Sequence, residues 1–301
     1  MKMRLCVAIT LLLCLVLFAC TQNPAEQSDS YSDAVTSAPV SAASALSPHS
    51  QAGMQIISEV RSGDVAQITV YSEAIADSFV LDVLLPPNYD QAKRYPTLYL
   101  SDGNWRRGDY DAIRALWAQG TLADVILVGI CYPEDYDLQS IRVREFLQYP
   151  EIFLSFIVQD IVPYIDASYS TQANTRYLCG ASYGGYFTLY AMFHDLTRDV
   201  FTGYVVASPA LLEQKDGKNI FDREADYHSK NTALPVNLYM SLGEFEYYPD
   251  YIKPFFEFCD QLDTRGYDGL SLTSKQYEGI DHYGIWTPTI LDALRLYFPK
   301  E

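Results

Sequence analysis

The chain has 301 residues, with 38 acidic side chains against 21 Lys and Arg, and a formal charge of −17. Nucleic-acid binding needs basic patches to neutralise phosphates, so this balance argues against it. Any attachment to an anionic membrane surface would have to come from a lipid rather than from charge.

Residues 1–20, "MKMRLCVAITLLLCLVLFAC", place Lys2 and Arg4 before an apolar run that ends at Cys20. A charged start, an apolar centre and a small residue at the exit predict an export signal. The run is too short and too soon followed by polar residues for a membrane span. Its end, "LFAC", resembles a bacterial lipobox, in which the cysteine becomes the lipidated first residue, although Phe18 is larger than the residue usual there; the alternative is an ordinary signal peptide cut nearby. Residues 21–52 are rich in Ser, Ala, Pro and Gln without apolar periodicity, and are expected to form a flexible tether carrying His49. Residues 53–301 are long enough for one α/β domain.

That domain opens with the strand-like runs "AQITVYS" and "FVLDVLLPP", which predict an antiparallel start. Strands and helices then alternate. "YPTLYLSDG" reads as a strand entering a turn, Tyr110, Ile113 and Trp117 follow at helical spacing, and "ADVILVGICYP" is a continuous apolar strand. Phe153, Phe156, Ile157, Ile161 and Tyr164 make a helical stripe whose end Pro163 should bend. "TRYLCG" leads into another helix, then come the strand "FTGYVVASP", a polar stretch over 213–233, and the strand "PVNLYMSLG". A helical face on Tyr251, Phe255, Phe258 and Leu262, a last strand "LSLTSKQYEG" and a closing helix "TPTILDALRLYF" complete the chain. Apolar strands alternating with amphipathic helices imply a mostly parallel central sheet with helices on both faces. Cys131 and Cys179 sit in apolar strand-like runs and are expected as core residues; with Cys259 they make an odd number, with no CxxC pair, zinc spacing or disulfide framework. No cofactor motif, metal spacing or phosphate-binding loop appears, and no internal repeat.

Gly180, Ser182 and Gly184 in "GASYGG" satisfy G-x-S-x-G. The pattern recurs by chance, and glycines also serve close helix packing. A strand before it and a helix after it, however, are the setting of a nucleophile elbow, where a serine in a strained conformation projects above a helix N-terminus. A serine at neutral pH needs a base, and His282 in "EGIDHYG" follows the last strand, at the same sheet edge; His194 and His228 lie elsewhere. An acid to orient the imidazole should follow "VNLYMSLG". Glu246, three residues past Gly243, is favoured there, with Glu244 and Asp250 as alternatives. The order Ser182, Glu246, His282 is the one this fold uses. An oxyanion hole needs the amide after the nucleophile, that of Tyr183, and one from an earlier strand-end loop. In "LSDGNWRRGDY" Gly103 opens the turn and Asn104 offers its amide; Trp105 and Arg106, with Arg107, are expected to flank the pocket.

The segments "YPTLYLSDGNW", "VILVGICYP", "CGASYGGYFTLYAMF", "FTGYVVASPAL", "VNLYMSLGEFE" and "YEGIDHYG" together resemble the Putative esterase family of α/β-hydrolases. That family includes S-formylglutathione hydrolases of the esterase D type, feruloyl esterases, enterobactin-type siderophore esterases and mycobacterial mycolyltransferases. The resemblance implies an α/β-hydrolase fold, a small-molecule ester as substrate, Ser182 as nucleophile, His282 as base and the amides of Asn104 and Tyr183 as oxyanion hole. It covers most of residues 80–298 and is strongest towards the siderophore branch, whose members often carry aromatic residues where this chain has Leu211, Leu212 and Glu213. Expected activities are therefore ester hydrolysis, with acyl transfer or ligand binding on the same scaffold as the other possibilities.

Overall fold

The computed structural model describes residues 53–246 and 249–300. The expected signal and tether, residues 1–52 with Cys20 and His49, lie outside the described residues, as does the side chain of Asp250.

In chain order the strands are β1 (Met54–Ser62), β2 (Val65–Ser72), β3 (Asp77–Leu84), β4 (Tyr95–Leu100), β5 (Ile126–Cys131), β6 (Thr171–Ala181), β7 (Gly203–Ala207), β8 (Asn237–Phe245) and β9 (Ser271–Asp281). They form one sheet in the order β1-β2-β3-β5-β4-β6-β7-β8-β9. The first strands pair antiparallel, β3 pairs antiparallel with β5, and every pair from β5–β4 to β8–β9 is parallel. The helices are α1 (Gly103–Arg106), α2 (Tyr110–Ala118), α3 (Leu138–Val143), α4 (Pro150–Phe156), α5 (Val162–Ser168), α6 (Tyr183–Met192), α7 (Ile220–His228), α8 (Pro249–Arg265) and α9 (Trp286–Tyr297).

Strand side chains alternate between two buried cores, because successive residues of a strand point to opposite faces. Tyr99, Val128, Leu178 and Val206 join the core built with α4 to α8, whereas Leu98, Leu127, Cys179 and Val205 join the one built with α2 and α9. The sheet is thus covered on both faces, an α/β-hydrolase arrangement, and all three cysteines of the domain are buried and free.

Several features differ from the sequence-based expectation. β1 precedes the expected first strand; a bulge between Ile56 and Ser58 breaks its two-residue period, and its side chains are largely exposed. The polar stretch holds α7, opened by a capping box in which the Asn219 side chain accepts from the Asp222 N–H and the Asp222 carboxylate from the Asn219 N–H. Pro163, expected to bend the end of its helix, falls in the first turn of α5 directly after a π turn at Ile157–Ile161, and another π turn occupies Arg144–Gln148.

Candidate active site

β6 ends at Ala181, and Ser182 stands between it and α6 with φ 57° and ψ −119°, a backbone region that favours glycine. Its N–H donates to Ala207 O at 3.0 Å, while its carbonyl accepts from Tyr186 N and Ala210 N. The flanking glycines are required by contact. A Cβ on Gly180 would sit 2.2 Å from the Gly184 carbonyl oxygen, and one on Gly184 would sit 2.6 Å from Ser101 Oγ. Gly180 thus packs on the backbone at the start of α6, and both glycines face the Ser101 hydroxyl just past β4, leaving no room for a Cβ at either.

His282 lies just past β9, in a turn held by Asp281, whose Oδ1 accepts from the N–H groups of Tyr283 and Gly284. Its Nδ1 is 2.6 Å from Glu246 Oε2, and the two side chains are 9% and 0% exposed. The other carboxylate oxygen, Oε1, accepts from Ser208 Oγ and from Gly243 N–H. Both oxygens of this buried carboxylate are thus hydrogen-bonded. Glu244 is turned away: its Oε2 accepts from Gly279 N–H at 2.8 Å, near the end of β9. His194 and His228 are remote from this pair, His194 packing on Tyr190 and His228 on Tyr267.

Ser182 and His282 line one cavity of about 440 Å³, together with Tyr183, Tyr251, Leu211 and Arg142. Tyr251 shares the cavity wall with Ser182, burial pushes its phenol up to about 12, and its ring meets the His282 ring edge-on at 4.9 Å. The Tyr183 amide opens α6, and the Asn104 amide lies in the first turn of α1; amides there have no intrahelical acceptor. Asn104 is fixed by its side chain, which exchanges two 2.8 Å hydrogen bonds with the backbone of Tyr132 at the end of β5.

The arginines expected to flank the pocket do not. Arg106 is buried, 3.6 Å from Asp102 and stacked on the Trp286 ring at 3.9 Å, and burial lowers its guanidinium to about 10. Arg107 is paired with Asp82 instead. Trp105 is 49% exposed and lies under the guanidinium of Arg142, 4.8 Å away. Among the described residues Arg142, on α3, is the Lys or Arg that lines the cavity, aimed by a 2.7 Å bond to Asp102 and flanked by the Tyr183 ring at 5.6 Å. Sequence reasoning missed α3 altogether; the available signal was Asp137, whose side chain accepts from the N–H groups of Gln139 and Ser140 as an N-cap. Of the polar stretch, Glu213 reaches the cavity wall. Among the described residues no group of His, Cys, Asp or Glu is arranged to hold a metal ion.

Residues 72–297 match the family described as "Putative esterase", and the chain belongs to it. It is a carboxylic ester hydrolase on an α/β-hydrolase fold. Among particular relatives, it is similar to ferri-bacillibactin esterase BesA of Bacillus subtilis (strain 168), with 25% identity over 234 residues covering 67% of this chain and 78% of the relative. Two solved structures share the fold at 19% identity and a TM-score of 0.68: the BES protein from Bacillus cereus and the siderophore hydrolase EstA from Aspergillus nidulans. Each match covers 79% of this chain and 96% of the other.

Proposed function

We propose that this esterase cleaves ester bonds of a siderophore through an acyl-enzyme on Ser182. The observation that carries the mechanism is a serine at a glycine-type backbone position sharing one cavity with a buried histidine–carboxylate pair. As Ser182 Oγ bonds to the ester carbon, His282 accepts the hydroxyl proton, and Glu246 stays ionised to orient and stabilise the imidazolium. The electron pair displaced from the carbonyl settles on its oxygen, facing the amides of Asn104 and Tyr183. Collapse of that intermediate expels the alcohol, which leaves with the proton from His282; water then repeats the sequence and frees Ser182.

The substrate class is supported by the names of the relatives and by the pocket. Arg142 supplies a fixed positive charge among the rings of Trp105 and Tyr183, which suits an anionic iron chelate with flat aromatic arms. We also place the protein on the exported side of a bacterial membrane, held by a lipid on Cys20, a reading supported by the charged and apolar residues 1–20.

Chromatography of a cyclic triester siderophore, with and without iron, after incubation with the protein and with Ser182→Ala, tests the proposal. Linear ester-cleaved products with the first protein alone are expected. Equal turnover by both proteins would overturn the mechanism, and serine-dependent cleavage of p-nitrophenyl esters without siderophore cleavage would overturn the substrate.

A further inference from the structure

The carboxylate that meets His282 has a second oxygen, and what holds it has a cost. Ser208 follows β7 with φ 40°, a left-handed backbone that glycine adopts without strain. A position needing only that turn would be served by glycine, yet it carries a fully buried serine. Its hydroxyl donates to Glu246 Oε1, and its N–H donates to Ser241 O at 2.8 Å, tying the turn to β8. Two residues on, the Ala210 N–H donates to the carbonyl of Ser182 at 3.2 Å. One short loop therefore touches both the nucleophile's backbone and the acid's side chain.

We propose that Ser208 is a positioning residue for the esterase reaction: its hydroxyl fixes the Glu246 rotamer in which Oε2 meets His282. The inference rests on the reading above, in which Glu246 orients the imidazole. Glu246 emerges from a loop and has three side-chain torsions to restrain. The Gly243 N–H, at 3.2 Å, is the other donor to Oε1, and a single long contact leaves the carboxylate free to swing about it. With the Ser208 hydroxyl in place, both oxygens are engaged and the Oε2 lone pair stays on His282 Nδ1.

Ser208→Gly removes the hydroxyl while suiting the backbone, so the fold is kept and the melting temperature tests that it is. The experiment is a double-mutant cycle in the full-length protein: Ser208→Gly, Glu246→Gln and the pair, with kcat and KM measured on one p-nitrophenyl ester. Removing a hydrogen bond to a charged group should lower kcat about 10- to 100-fold with KM little changed. In the Glu246→Gln background the same change should cost no more than about twofold, because the acid it serves is already gone. Unchanged kcat in Ser208→Gly would overturn the proposal, and so would an equal loss in both backgrounds, which is the mark of a merely structural role. Ser182→Ala in the same assay separates the two readings. If it retains activity, the mechanism fails; if it is inactive while the cycle shows no coupling, only the role of Ser208 fails.

Discussion

Two glutamates at the end of β8 share charge and neighbourhood but not partners. Glu246 is buried against His282, Ser208 and Gly243, whereas Glu244 is exposed and accepts from the Gly279 amide. Glu246→Gln should therefore lower kcat on a p-nitrophenyl ester by about 10²- to 10⁴-fold, and Glu244→Gln should leave it within a few-fold of the parent. Steady-state kinetics of both variants decide between the two carboxylates. Gly180 makes a harder demand: a methyl group there meets a carbonyl at 2.2 Å and can be relieved only by moving backbone. Gly180→Ala should cost about 1–3 kcal/mol of stability, read as a lower melting temperature together with lost turnover. The elbow was legible in the sequence because its requirements are local: small residues, a strand before and a helix after. Arg142 was not legible, because its meaning depends on Asp102, forty positions earlier in the chain, and on rings contributed by Trp105 and Tyr183.

The parallel strands were readable because burial on both faces makes them continuous apolar runs. β1 escaped notice since a bulge breaks its alternation, and α7 since most of its residues are polar and its cap sits in a charged stretch. The π turn Arg144–Gln148 joins α3, which carries Arg142, to the helices behind it, and it buries Glu145 beside Arg144 at 2.5 Å. Burial raises the Glu145 carboxyl from its ordinary 4.5 to about 7, outweighing the opposite pull of Arg144. Between those values the folded chain keeps a proton that the unfolded chain has released. Raising the pH through that window consequently withdraws stability. Glu145→Gln should flatten the fall of melting temperature between pH 4.5 and 7, and thermal scans of both proteins across that range measure it.

At the scale of the whole molecule, a chain of formal charge −17 carries a pocket whose described lining includes the cation Arg142 and the acid Glu213. The long-range field opposes the approach of an anionic ester, while the guanidinium attracts it only near contact. Added salt screens the first far more than the second. Values of kcat/KM for an anionic ester should rise between about 10 and 150 mM salt and stay flat for a neutral one, measured side by side. A flat response for both would show that the pocket's own charge governs encounter.

Ser182 and Ser208 each hold a backbone geometry natural to glycine, and such positions store of order 1–3 kcal/mol apiece. At Ser208 the relief that glycine would bring is set against the lost hydrogen bond to the buried Glu246 carboxylate, whereas at Ser182 hardiness and turnover pull in opposite directions. A library passaged for survival on heating alone should accumulate glycine at position 182, growing tougher as it falls silent. Only a screen that also asks for product would keep that serine.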